Sequence, residues 1–156
     1  TGVYNKENTQ NMIDEILRKK DPDSFHGFLI LDMDHFKEVN DVYGHAMGDK
    51  VLEMLGNFLK KQFREQDVIG RIGGDEFVIL LYNIGSRQNM ENRVKSLQEK
   101  IREIHMDGME GHTFTLSAGI AFAPQDGDTF MELYQKADLA LYQVKRSGRN
   151  GYRIYK

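Results

Sequence analysis

The run Phe28-Leu29-Ile30-Leu31 constrains this chain more than any other stretch. It is a short, unbroken apolar segment with no helical periodicity, the signature of a strand buried on both faces. Such a strand must lie inside a sheet with helices above and below it. It ends abruptly in Asp32-Met33-Asp34, so two carboxylates leave the buried strand at its end.

The other elements follow from periodicity. Met12, Ile13, Ile16 and Leu17 predict a helix over roughly Thr9 to Lys20, ended by Asp21-Pro22-Asp23. A short helix is predicted over Phe36 to Tyr43, closed by Gly44. A longer one follows, with an apolar stripe of Val51, Leu52, Leu55, Phe58, Leu59 and Phe63. Val68 to Ile72 and Phe77 to Tyr82 read as a hairpin turning at Gly73-Gly74. Val94, Leu97, Ile101 and Ile104 mark a helix, and Thr113 to Phe122 alternates as a strand with small residues on one face. Phe130, Tyr134, Ala137, Leu141 and Val144 mark the last helix, and Tyr152 to Tyr155 a final strand. The order α-β-α-α-β-β-α-β-α-β predicts an α+β, ferredoxin-like mixed sheet with helices on its faces.

With 156 residues and neither repeat nor linker, residues 1–156 are expected to form one domain. The chain opens at Thr1 without methionine, which suggests a domain excised from a longer protein. A net charge of -3 gives no global basic field, so no nucleic-acid polymer is expected as a partner. The absence of cysteine excludes thiolate metal sites and is compatible with the cytosol. No apolar run reaches the roughly 20 residues of a membrane span, so this domain is expected to be cytoplasmic and to make no membrane contact, with any anchor of a longer protein lying outside this sequence.

Three groups of residues could do chemistry. Asp32 and Asp34, two apart on a strand, can share a face and hold Mg²⁺; equally, Asp34 can cap the helix that follows. Gly73-Gly74-Asp75-Glu76 reads either as a solvated hairpin tip or as a turn whose glycines, through positive φ, bring both acids to one rim. If the strand of Asp32 neighbours that hairpin, the acids converge. Without histidine or cysteine ligands, such a cluster selects Mg²⁺ or Mn²⁺. Lys136, Lys145, Arg146, Arg149, Arg153 and Lys156 form a basic tail that could hold a polyanion or simply complement a helix dipole. His26, His35, His105 and His112 lack ligand spacing and read as surface or satisfied residues.

Five segments in order, TGVYN, LDMDHFKEVNDVYGHAMGD, RIGGDEF, TLSAGIA and ADLALYQVKRSGRN, resemble the GGDEF-domain diguanylate cyclases along nearly the whole chain. The resemblance implies a polymerase-palm-like sheet with a GGDEF hairpin and an enzyme that condenses two GTP into cyclic di-GMP. It implies a homodimer, each copy holding one GTP. Asp32, the Met33 carbonyl and Asp75 match the metal site. Glu76 matches an acid that assists with the metal or with deprotonating the 3′-hydroxyl. Asn40 and Asp49 match the residues that read guanine, whose N1–H and N2–H₂ edge presents donors. Phe36, Gly73 and Gly74 match positions beside the nucleotide. Lys37, Lys145 and Arg149 match positions near the triphosphate. Arg64-Glu65-Gln66-Asp67 occupies the place of the family's RxxD inhibitory site, where Arg64 and Asp67 would bind cyclic di-GMP. The chain departs from the family at Asn5-Lys6-Glu7, where Asn-Arg-Arg is common. Two rival readings remain: an idle domain that binds GTP or cyclic di-GMP as a receptor, and a cyclase making a mixed GMP–AMP product.

Overall fold

The computed structural model describes residues 3–19 and 21–156. Thr1 and Gly2 of the opening motif, and Lys20 at the predicted end of the first helix, lie outside the described residues. The elements run α1 (Lys6–Arg18), β1 (His26–Met33), α2 (Phe36–Tyr43), α3 (His45–Gln62), β2 (Val68–Arg71), β3 (Glu76–Leu81), α4 (Arg87–Arg102), β4 (Leu116–Ala123), α5 (Phe130–Arg146) and β5 (Gly151–Ile154). This is the predicted order.

Element boundaries follow the capping residues and backbone breaks. The Asn5 side chain accepts from the Asn8 amide at 2.8 Å, so α1 starts three residues before Thr9. Gly44, at φ +90°, breaks α2 from α3. Phe63 stands just past α3 as its cap, and Ile104 lies beyond α4.

The sheet order is β2-β3-β1-β4-β5. The first three pairings are antiparallel, and β5 joins β4 in parallel. The crossovers β1-α2-α3-β2 and β3-α4-β4 give the ferredoxin-like order, and α5 with β5 extends it by one parallel unit. On one face Leu29, Leu31, Phe77, Ile79, Leu116 and Ile120 pack under α3 and α4. On the other, Phe28, Ile30, Val78 and Leu80 pack under α1 and α5. Every residue of β1 is buried, as its apolar run requires. Each such large apolar side chain contributes about 1.5–3 kcal/mol on burial.

The small face of β4 has a physical purpose. A Cβ on Gly119 would lie 2.0 Å from the Ala137 carbonyl oxygen, so α5 rests directly on the β4 backbone. That close approach carries the last turn of α5 over the end of β1.

The helix-cap reading of Asp34 is overturned. The N-cap of α2 is His35, in the left-handed region at φ 60°, with no side-chain cap bond. Asp34 is instead buried and accepts from Ser117 Oγ, Thr115 Oγ1 and the Asn150 amide. His26 is also buried, its Nδ1 accepting from the Asn83 amide at 2.9 Å.

Candidate active site

Asp32 occupies the end of the central strand. It stands opposite Glu76 on β3 and Ser117 on β4. Directly opposed residues share a sheet face, here the face covered by α5. From the last turn of that helix, Lys145 Nζ donates to Asp32 Oδ2. Asp32 Oδ1 is buried with no hydrogen-bond partner. Burial is the chief cause that pushes the Asp32 carboxyl up to about 6. The hydrogen bond and charge of Lys145 oppose that rise, while Asp75 and Glu76 add to it.

Glu76 is held on its own. The Tyr134 hydroxyl of α5 donates to Glu76 Oε1. Burial and this bond push the Tyr134 hydroxyl well above its ordinary value. Nothing in the sequence announced this pairing, since Tyr134 lies on an apolar helical stripe and reads as core.

The hairpin turn departs from expectation. The positive-φ glycines of the described residues are Gly44, Gly85, Gly108, Gly111 and Gly148, so neither Gly73 nor Gly74 uses the left-handed region. Instead Arg71 Nε donates to the Gly73 and Gly74 carbonyls at 3.2 and 3.0 Å, and the Ile72 amide bonds the Glu76 carbonyl at 2.9 Å. A Cβ on Gly74 would meet nothing within 4 Å. The turn rim at Gly74 is therefore open space with no side chain over it.

Asp32, Met33, Phe36, Lys37, Asp75, Lys145 and Arg149 share one cleft of about 260 Å³. Glu76, Gly73 and Gly74 border the strand end but do not line that cleft. Asn40 and Asp49 lie away from it, on the α2–α3 pair. They are related through Gly48: a Cβ there would fall 1.8 Å from Asn40 Oδ1. The absent side chain at Gly48 is what lets Asn40 lie against α3, one residue before Asp49. The sequence reading missed Gly48; its place between Asn40 and Asp49 was the available signal.

The donors around the cleft suit a hard divalent cation. They are carboxylate and carbonyl oxygens, and Asp32 Oδ1 is an unpartnered buried acceptor. Among the described residues no three His, Cys, Asp or Glu side chains converge into a cage. That arrangement fits Mg²⁺, which binds through one or two carboxylates and completes its shell with waters and phosphate oxygens. Asp32, the Met33 carbonyl and Asp75 are the groups that would hold it.

Arg64 and Asp67 lie elsewhere, in a depression of about 330 Å³ shared with Tyr4, Lys60, Phe63, Glu65 and Ile69. Asp67 is buried and both of its oxygens are engaged: Oδ1 accepts from the Tyr82 amide, Oδ2 from the Arg64 amide, each at 2.9 Å. Arg64 leaves a side chain 46% exposed while donating to the Tyr82 carbonyl and lying 3.6 Å from Asp67. Arg64 also borders a second depression, with Asn83, Asn89 and Arg93. No helix among the described residues is long and apolar enough to cross a membrane.

Comparison with known proteins gives this geometry a context. The GGDEF domain of TpbB (YfiN) from Pseudomonas aeruginosa superposes with a TM-score of 0.93 at 31% identity, covering 100% of this chain and 92% of that one. The diguanylate cyclase DgcS of Shewanella oneidensis is 33% identical over 99% of this chain and 51% of its own length. The probable diguanylate cyclase DgcT of Escherichia coli is 37% identical over 78% of this chain and 27% of its own. The chain thus spans about half or less of the length of these curated relatives. The family described as "Diguanylate cyclase, GGDEF domain" matches residues 1–151. By that match, the chain belongs to the GGDEF diguanylate cyclase family.

Proposed function

We propose that this domain is a diguanylate cyclase, condensing two GTP into cyclic di-GMP with release of pyrophosphate. The observation that carries the proposal is Asp32, a buried carboxylate with one unpaired oxygen, sharing a cleft with Asp75 and three cations. When bound at Asp32, Asp75 and the Met33 carbonyl, Mg²⁺ (or Mn²⁺) supplies Lewis-acid stabilisation of charge on the phosphoryl oxygens. Lys37, Lys145 and Arg149 bind the triphosphate and offset its charge. Phe36, Gly73 and Gly74 shape the nucleotide's surroundings. Asn40 and Asp49 present acceptors to the guanine edge. Glu76, positioned by Tyr134, accepts the proton of the 3′-hydroxyl.

The 3′-oxygen of one GTP attacks the α-phosphorus of the other, forming a P–O bond as the bond to pyrophosphate breaks. A second such step closes the ring and frees a second pyrophosphate. One copy of the domain holds one GTP, so catalysis needs a homodimer that brings the two nucleotides face to face. Residues 1–156 then act as one catalytic unit of a longer protein, on the cytoplasmic side where GTP is found.

We extend the proposal to product inhibition at Arg64. An exposed guanidinium pairs bidentately with phosphate and stacks on guanine. The engaged oxygens of Asp67 give that residue an orienting part, holding the arginine, more than a ligand contact.

The test is to fuse the domain to a dimerising coiled coil, supply GTP and Mg²⁺, and resolve the products. Cyclic di-GMP with two pyrophosphates per product is expected. Ligand binding with GTP left intact would favour the receptor reading, and abundant mixed product in GTP–ATP competition would favour the hybrid cyclase.

A further inference from the structure

Arg149 and Asn150 both stand in the left-handed region, at φ 67° and 49°. Asparagine enters that region readily, but an arginine is uncommon there unless its surroundings hold it. The loop has three ties. The Arg149 amide donates to the Val144 carbonyl at 3.0 Å, anchoring the loop to the end of α5. Asn150 Oδ1 accepts from Arg102 of α4 at 3.0 Å. The Asn150 amide donates at 3.0 Å to Oδ2 of Asp34.

Asp34 is the tie that links the loop to the catalytic strand. It is 4% exposed, directly follows β1, and lies two residues from Asp32. Its other bonds come from β4 and the approach to it: Ser117 Oγ at 2.5 Å and Thr115 Oγ1 at 2.7 Å. The Asp34 amide in turn donates to the Thr115 carbonyl at 2.9 Å. A single carboxylate thus gathers β1, β4 and the loop after α5. Arg149 lines the same cleft as Asp32, Asp34 and Asp75.

We infer that Asp34 is the positioning residue for Arg149. Through the Asn150 amide it fixes the left-handed pair, and so fixes the distance from the guanidinium to the carboxylate cluster. Asp34 borders the same cleft, but both of its carboxylate oxygens are already taken by Ser117, Thr115 and the Asn150 amide. The inference rests on the reading of Arg149 as a triphosphate ligand, and it extends that reading to the residue that sets its place.

The test compares Asp34→Asn, Arg149→Ala and the double variant in the dimerised domain. Asp34→Asn keeps the shape but puts an amide N–H₂ where one of the carboxylate's acceptors was. The expected result is a KM for GTP raised about tenfold by either single change, a typical loss for a bond to a charged group. kcat should move much less, and the double variant should show no further rise in KM. Additive effects, or an unchanged KM in Asp34→Asn, would overturn the inference, since a merely structural role acts independently of Arg149.

A second measurement does not depend on turnover. Amide hydrogen exchange of the parent should show Asn150 protected despite its exposed loop, and Asp34→Asn should remove that protection. An unprotected Asn150 amide in the parent would sink the inference even if Asp34→Asn failed to fold. If the parent makes no cyclic di-GMP, the functional reading fails alone, and exchange at Asn150 still decides the role of Asp34.

Discussion

Asp32 and Glu76 face each other across the last pair of the β1–β3 register, so the central strand and the signature hairpin end in opposed carboxylates. Each turns to a different partner on α5: Asp32 to Lys145, Glu76 to Tyr134. One helix therefore manages the charge of both acids.

That pairing has a pH consequence. The folded chain raises Asp32 from 3.8 to about 6, chiefly by burial. The native state therefore holds this proton more tightly than the unfolded chain. Its stabilising effect is fully present below about pH 4 and is lost as pH rises through about 6, a change on the order of 2–3 kcal/mol. Asp32→Asn should lack this component. Urea unfolding of parent and variant at pH 4 and pH 7 checks it; an identical pH slope in both would contradict the assignment. At pH 7.5, millimolar Mg²⁺ should raise the Tm of the parent and leave the variant's unmoved.

Asp75→Ala tests the other side of the cleft. Asp75 is half-buried at a turn whose bonds come from Arg71 and the backbone, so its removal should change stability by no more than about 1 kcal/mol. The same change should lower kcat/KM at least about a thousandfold, the scale of a lost metal-borne charge stabilisation. Product formation in the dimerised domain, followed by chromatography, reads the effect. A variant retaining a tenth of the parent's activity would remove Asp75 from the metal site.

The order of the elements was legible because each carries its own periodicity, and the β1 run required cover on both faces. Asp32, Asp75, Lys145 and Arg149 were grouped only by the resemblance of their segments to the family's, each group having a plain structural reading by itself, and the four line one cleft. Asp34 was not legible, because its partners lie 81, 83 and 116 residues away and appear only when β1 pairs with β4 and α5 lies on both. Tyr134 was hidden for a related reason: helical spacing marks it as core, yet its hydroxyl reaches Glu76 at the end of β3. At Gly73-Gly74 the residue type suggested positive φ, while the turn forms without it.

Arg64→Ala should weaken product inhibition. The change removes the exposed guanidinium and leaves Asp67 still bonded to the Tyr82 and position-64 amides, so the β2 approach keeps its shape. The concentration of cyclic di-GMP that halves the initial rate should rise at least about tenfold, the loss expected for one charge-assisted contact. Initial rates measured against added product decide it, and an unchanged inhibition constant would refute the site.

Gly48→Ala tests how guanine is read. Alanine favours a helix over glycine by about 1 kcal/mol, which alone would stabilise α3. Yet its Cβ would lie 1.8 Å from Asn40 Oδ1 and 3.4 Å from the Phe36 ring, so Asn40 must swing away. The two effects oppose each other, and net stability should stay within about 1 kcal/mol of the parent. Selectivity should not survive: displacing one acceptor from the guanine edge should raise KM for GTP about tenfold and narrow the preference over ATP. Competition between the two nucleotides measures this. A folded Gly48→Ala variant with undiminished GTP preference would show that Asn40 does not read the base.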